Sequence, residues 1–114
     1  MLFQEYLDPR AGDGTTLFLV LWEFEVKPGN EEMFESVYGP HGAWAGLFRQ
    51  NPNYRETRLL RDCVRERCYV ALDVWETKKA YERFKVEQRQ EYEALDLRCE
   101  SLTLREQWLG EFEA

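Results

Sequence analysis

The single histidine of the chain, His41, is the first candidate for acid–base chemistry. It lies in the segment Gly39-Pro40-His41-Gly42, between two stretches with helical patterns. An imidazole gains and loses a proton near neutral pH, which is what a general base requires. His41 is therefore the predicted catalytic base. The alternative is a solvent-facing loop or helix-capping histidine, because segments rich in Gly and Pro are often exposed.

Aromatic side chains make up 15% of the residues, which is a high share. Several of them could form the walls of a flat aromatic pocket for a small ligand. The alternative is ordinary core packing, since aromatic residues at helical spacing mostly pack against one another. As a set, their excess predicts that some of them line a cavity, and the candidates for substrate binding are Trp22, Tyr38, Trp44, Phe48 and Trp75.

Three polar residues interrupt apolar patterns and are further candidates for substrate binding. Gln88 and Tyr92 lie on the apolar stripe of a long helix, and Asp73 lies among the apolar residues of a strand. Buried polar atoms need partners, which a substrate, Arg58 or the backbone could supply. Burial would also raise the pKa of the Asp73 carboxyl. An Asp in such a strand is more often paired with an Arg or placed at a wet edge.

The elements that position these residues follow the order strand, helix, short helix, strand, strand, long helix, strand. Alternating apolar residues predict strands over residues 17–26, 54–61, 67–75 and 103–112. Asn30 and Thr77 are predicted helix N-caps, with the helix after Thr77 running to about Ser101, and a short helix covers residues 42–50.

This order predicts a ferredoxin-like βαββαβ fold of the α+β class, with a four-stranded antiparallel sheet and helices on one face. Residues 1–15 are rich in Pro, Gly and Asp toward their end and are predicted to form an N-terminal arm before a single domain of residues 16–114. The other face of the sheet is predicted to be apolar and bare in a monomer. A second subunit is expected to cover it, giving a homodimer.

Composition excludes several classes of function. The chain has 114 residues and a net charge of −7, and a surface of that charge repels phosphate backbones, so no nucleic acid is expected as partner. No stretch approaches the length of a membrane span, so a soluble, cytoplasmic protein without membrane contact is expected. The odd number of cysteines, three, favours free thiols, although Cys63 and Cys68 could pair across a turn. No metal site is predicted, because no second Cys or His pair completes four ligands.

Three stretches together carry a family resemblance: VLWEFEVKPGNEEMFESVYGP, the hairpin LLRD…YVALDVWETKKAYERF, and Tyr92-Glu93-Ala94-Leu95. Over residues 17–112 the chain resembles the antibiotic biosynthesis monooxygenase family of the dimeric α/β-barrel superfamily. The most recognisable element is Asp73-Val74-Trp75-Glu76-Thr77 with the Ala80, Tyr81 and Phe84 that follow.

The resemblance implies a dimer in which each subunit holds a pocket between its sheet and its helices. It also implies a cofactor-independent monooxygenase, with neither metal nor flavin, that acts on a small aromatic, phenolic or quinol-like compound. In such enzymes the deprotonated substrate itself passes an electron to oxygen, and the protein supplies a base, a dry aromatic cavity and hydrogen-bond donors.

Two other functions remain within the same superfamily. One is a non-catalytic, dimeric protein that binds a small apolar ligand or serves in stress responses. The other, haem degradation, is disfavoured: that branch uses an Asn where this chain has Trp22, and an iron-ligating His on the last helix, which has none here. Only Trp75 matches the pattern of that branch.

Overall fold

The fold is described for residues 16–114 by a computed structural model, so the predicted arm of residues 1–15 lies outside the described residues. The strands in this part of the chain are β1 (Phe18–Val26), β2 (Tyr54–Arg61), β3 (Cys68–Trp75) and β4 (Thr103–Glu113). They form an antiparallel sheet in the order β2-β3-β1-β4. This order confirms the predicted ferredoxin-like α+β fold.

The helices within residues 16–114 are α1 (Glu31–Tyr38), α2 (Ala43–Phe48), α3 (Lys78–Glu87) and α4 (Arg89–Cys99), and a 3₁₀ turn (Glu100–Leu102) leads into β4. The predicted cap at Thr77 is confirmed, because its hydroxyl accepts a hydrogen bond from the Ala80 N–H at 3.1 Å. Asn30 is the N-cap residue of α1, as predicted, but its side chain makes no cap bond and instead donates to the Ser101 carbonyl at 3.5 Å.

The prediction of one long helix after Thr77 is also wrong, because the helix divides at Gln88. This residue has φ −108° and ψ 28°, outside the helical region, although the Gln88 N–H still donates to the Phe84 carbonyl at 2.8 Å. The bend lets Phe84 on α3 and Leu95 on α4 pack into the same core. No Pro or Gly marks the position in the sequence, so the usual signal of a kink is missing.

All four helices pack against one face of the sheet. The main core joins Phe18 and Val20 of β1 to Phe34, Phe48 and Phe84 of the helices. Because successive residues of a strand point to opposite faces, the intervening residues of β1 point away from the helices. The prediction that the helices share one face is therefore confirmed.

The opposite, open face of the sheet carries a second apolar cluster of Leu17, Leu19, Leu72 and Val74. The expectation that this face is bare in a single chain is wrong at these residues, because Leu19, Leu72 and Val74 are at most 1% exposed. They pack with one another and with Leu21 and Ala114. Exposed apolar surface on this face is confined to its edges, where Phe112 and Leu60 are 45% and 38% exposed.

The three cysteines are free thiols, with Cys63 exposed and Cys68 and Cys99 buried. Among the described residues, no helix combines the length and the apolar character needed to cross a membrane.

Candidate active site

A cavity of about 120 Å³ lies between the sheet and the helices. Side chains on the helix-facing side of the sheet form its floor, and α1, α2 and α4 form its roof. The floor consists of Trp22, Phe24, Thr57, Ala71, Asp73 and Glu106. The roof consists of Tyr38, Trp44, Phe48, Tyr92 and Asp96.

Strand register brings the floor residues together. Trp22 of β1 pairs with Ala71 of β3, and Asp73 of β3 pairs with Thr57 of β2. Residues that are directly paired across antiparallel strands point to the same face. Ala71 contributes only a methyl group, so the space above it stays open between the larger side chains of Trp22 and Asp73.

A register irregularity in β2 places two hydroxyls beside Asp73. The pairing of β2 with β3 shifts between Tyr54 and Glu56, so that Tyr54 and Thr57 share the helix-facing side although they are three residues apart. The Thr57 hydroxyl donates to Asp73 Oδ1 at 2.7 Å, and the Tyr54 hydroxyl lies 2.7 Å from Thr57 Oγ1. Because Thr57 has a single hydroxyl hydrogen, Tyr54 is the donor in the second bond.

Asp73 has an unusual proton affinity for a carboxyl group. Burial raises the pKa of Asp73 to about 7, against a smaller lowering by the hydrogen bond from Thr57. The group therefore takes up and releases a proton near neutral pH. This is the property that the sequence interpretation assigned to His41.

The roof depends on a close approach of α2 to α1. A Cβ atom at Gly42, the residue before α2, would collide with the carbonyl oxygens of Ser36 and Val37. Glycine at this position lets α2 begin directly against the end of α1. As a result the Trp44 ring lies 6.0 Å from the Tyr38 ring and 5.1 Å from the Tyr92 ring, between centroids.

Two hydrogen-bond donors on the cavity wall are unused within residues 16–114. The Tyr38 hydroxyl and the Trp44 indole N–H are buried and have no hydrogen-bond partner. The Trp44 N–H and the Cys99 thiol lie near the Tyr38 hydroxyl, but neither bonds to it with adequate geometry. Burial raises the pKa of Tyr38 far above its usual range, so the hydroxyl keeps its proton. Buried donors without partners are costly, and because both atoms are buried behind the wall, a bound oxygen atom would satisfy them only if these side chains moved.

Two further carboxyl groups, on Asp96 of α4 and Glu106 of β4, stand at the rim of the cavity, where both residues are exposed. Burial raises the pKa of Tyr92 to about 12, and the negative charges of Asp96, Asp73 and Glu106 add to this effect. The pKa of Glu106 is also raised, by partial burial and then by Asp96 and Glu100. The lining is therefore aromatic and acidic.

No family model matches the sequence, and no curated protein matches it. Solved structures do. A mutant of SnoaB from Streptomyces nogalater, described as a cofactor-independent oxygenase, is 27% identical with a TM-score of 0.64, covering 89% of this chain and 94% of that one. A proposed antibiotic biosynthesis monooxygenase from Bordetella bronchiseptica is 19% identical with a TM-score of 0.69, covering 86% of this chain and 96% of that one.

This chain has the fold of the antibiotic biosynthesis monooxygenases. The resemblance noted in the sequence is confirmed at that level. Unmutated SnoaB gives a concordant match at 22% identity and a TM-score of 0.61.

In this monooxygenase fold, six of the eight residues predicted to bind substrate surround the cavity, namely Trp22, Tyr38, Trp44, Phe48, Asp73 and Tyr92. The other two do not line it. Trp75 is fully buried in the core against Tyr54, Phe48 and Phe84, and Gln88 is half-buried at the bend between α3 and α4. His41 is exposed in the turn between α1 and α2 and is not among the lining residues.

The sequence interpretation missed five residues of the monooxygenase-fold cavity: Phe24, Thr57, Ala71, Asp96 and Glu106. Phe24 and Ala71 follow from strand alternation, since each is two residues from a predicted site residue. Asp96 is four residues after Tyr92 and so shares its helix face. No comparable signal marks Thr57 or Glu106, because irregular pairing in β2 and β4 decides which way they point.

Proposed function

We propose that the chain is a cofactor-independent monooxygenase that acts on a small phenol or hydroquinone, with Asp73 as the general base. The observation that carries this proposal is a half-buried carboxyl group with a near-neutral pKa at the floor of an aromatic cavity. The similarity to SnoaB, described as a cofactor-independent oxygenase, supports the same class of reaction.

The size of the cavity favours a single aromatic ring. Its volume is about 120 Å³. An engineered apolar cavity of about 150 Å³ holds one benzene molecule. A single substituted ring therefore fits against the walls with its substituents directed to the open rim, whereas a three-ring anthrone would require the roof to move.

The reaction follows from the positions of the base and the donors. Ionised Asp73 accepts a proton from the phenol, and the electron-rich anion then passes one electron to dioxygen. The substrate radical and superoxide combine to form a peroxide, which loses water to leave a quinone. Phenol and dioxygen thus give benzoquinone and water, so the balance requires no external reductant.

Tyr38 and Trp44 would act on the charge that develops during this reaction. Their O–H and N–H groups have no partner within residues 16–114 but are buried behind the cavity wall, so they could donate to a phenolate or peroxide oxygen once the side chains shift toward it. Thr57 and Tyr54 would hold the Asp73 carboxyl in place through the hydrogen bonds described above.

Oxygen uptake tests the proposal. We expect the purified protein to consume oxygen with at least one member of a panel of single-ring phenols and hydroquinones. The product should carry one atom from labelled dioxygen. His41→Ala is expected to keep the wild-type rate, since His41 is exposed and outside the cavity lining; loss of turnover in this variant would move the base to His41. Binding of the panel without any oxygen uptake would instead support the non-catalytic, ligand-binding alternative.

We also propose that two copies of the chain pair through the open face of the sheet. Phe112 and Leu60 expose apolar surface at its edges, and a second sheet would cover them. Light scattering should give twice the 13.7 kDa mass of one chain. Phe112→Glu should shift the population toward single chains. Val86→Glu, at a 76% exposed position on α3 on the helix side, should not. A wild-type protein with the mass of one chain would contradict this proposal.

A further inference from the structure

The charges around the cavity are all of one sign. Asp73, Asp96 and Glu106 contribute carboxyl groups, and the lining contains no Lys, Arg or His among the described residues. Glu100 adds a fourth acidic group near Glu106. A ligand with a negative charge would be repelled at this site, and one with a positive charge would be attracted.

The aromatic walls favour the same sign of charge. The electron-rich faces of Trp and Tyr rings attract cations, and this effect is strongest for Trp. Trp44 and Tyr92 meet edge to face at 5.1 Å on the roof, and Asp96 is one helical turn beyond Tyr92. An ammonium group near the rim would therefore lie beside aromatic rings and carboxylates.

The floor of the cavity calls for a second group on the ligand. The Asp73 carboxyl lies there, accepts a hydrogen bond from the Thr57 hydroxyl at 2.7 Å, and can accept a further one from a ligand hydroxyl. The complementary molecule thus has a hydroxyl group at one position and a positive charge at another.

Neither a metal ion nor a neighbouring lysine accounts for the acidic cluster. In the described part of the chain, no group of three or more His, Cys, Asp or Glu side chains is close enough to hold a metal ion. The ammonium group of Lys85 lies 5.4 and 5.5 Å from the centroids of the Tyr81 and Tyr92 rings, but Lys85 is not a lining residue. The carboxyl groups at the rim therefore remain open to a cationic ligand.

We infer that the cavity binds phenols that carry an ammonium group, with the ring between the aromatic walls and the ammonium at Asp96 and Glu106. The inference that these phenols are substrates rests on the proposed oxygenase function, whereas the inference that the cavity binds them does not. The positive charge would also favour ionised Asp73 and the phenolate that forms when Asp73 takes the proton.

A series of catechols that differ only in the terminal group tests this inference. Catechol bearing an aminoethyl, an ethyl or a carboxymethyl substituent is titrated into the full chain by calorimetry under argon, so that oxidation cannot contribute. We expect the aminoethyl compound to bind about tenfold or more tightly than the ethyl compound, and the carboxymethyl compound to bind most weakly.

Two variants test whether a carboxyl group at the rim causes the preference for the aminoethyl compound. Glu106→Gln should reduce the advantage of the aminoethyl compound severalfold while leaving the affinity of the ethyl compound unchanged. Glu93→Gln removes the same charge on α4 outside the cavity, where Glu93 pairs with Arg89 at 3.2 Å, and should keep the advantage. Equal affinities across the series, or equal effects of the two variants, would overturn the inference.

The outcomes separate this inference from the proposed function. An amine preference without oxygen uptake would contradict the oxygenase and leave the binding preference standing. Oxygen uptake without an amine preference would contradict the preference alone.

Discussion

Asp73→Asn is expected to lower the turnover number for oxygen uptake by about 10²-fold or more, the usual contribution of a general base. The amide has the shape of the carboxyl group and still accepts the hydrogen bond from Thr57, but it cannot take a proton from the substrate. Ligand affinity, measured by calorimetry without oxygen, should change much less than turnover. A variant that keeps the wild-type turnover would contradict the role of Asp73.

The pH profile makes this prediction specific. Because Asp73 must be ionised to act as a base, wild-type turnover should rise with pH through the pKa of Asp73, which is about 7. Thr57→Val removes the hydrogen bond that lowers this pKa, so the rise should move to higher pH while the maximal rate largely persists. Histidines titrate in the same range, and His41→Ala is therefore the control. The pH profile of His41→Ala should match that of the wild type. If the rise in turnover were absent from this variant, it would have to be assigned to His41.

Asp73→Asn is also expected to change the free energy of unfolding in a way that depends on pH. Relative to the wild type, the variant should be more stable at pH 8 than it is at pH 4. In the unfolded chain Asp73 has its ordinary pKa of 3.8, and in the folded chain the pKa is about 7. Between these values the unfolded state has lost a proton that the folded state still holds. The wild-type free energy of unfolding therefore falls as pH rises through this range, and this loss is complete above about pH 7.

Asn does not titrate, so the difference between variant and wild type should grow between pH 4 and pH 8, by at most about 4 kcal/mol. Denaturant unfolding at both pH values measures it. Asp62→Asn is the matched control, because backbone N–H groups of Arg65 and Val64 hold the pKa of Asp62 at about 2. Its effect should be nearly the same at pH 4 and pH 8. A difference for Asp73→Asn that does not vary with pH would contradict the raised pKa.

Much of the fold could be predicted because its signals are local. Alternating residues mark β1 and β3, and Pro28-Gly29 and Asn51-Pro52-Asn53 mark turns at the ends of elements. Asn30 carries the local signal of an N-cap, but its side chain donates to a carbonyl 71 residues away, at Ser101. The bend at Gln88 has no local signal, because it arises from the packing of both helices on one core.

The aromatic part of the site could also be predicted, since periodicity places Tyr38, Trp44 and Tyr92 on the apolar faces of helices and Trp22 on the apolar face of β1. The acid–base part could not. The chemistry of the imidazole favours His41, but the proton affinity of a group depends on its burial, and burial is decided by distant parts of the chain. The structure places His41 in solvent and gives Asp73 the near-neutral pKa.

The sequence by itself determined the order of the elements, which residues share a face of each strand, and the aromatic character of the chain's apolar faces, whereas the tertiary structure decided which strand face meets the helices. The properties that the sequence determined follow from the chemistry of neighbouring residues. The tertiary structure alone decided that Tyr54, Thr57 and Asp73 form one hydrogen-bonded chain, and that Glu106 reaches the cavity. Both depend on pairing irregularities between strands, and such irregularities arise from contacts between residues far apart in the chain.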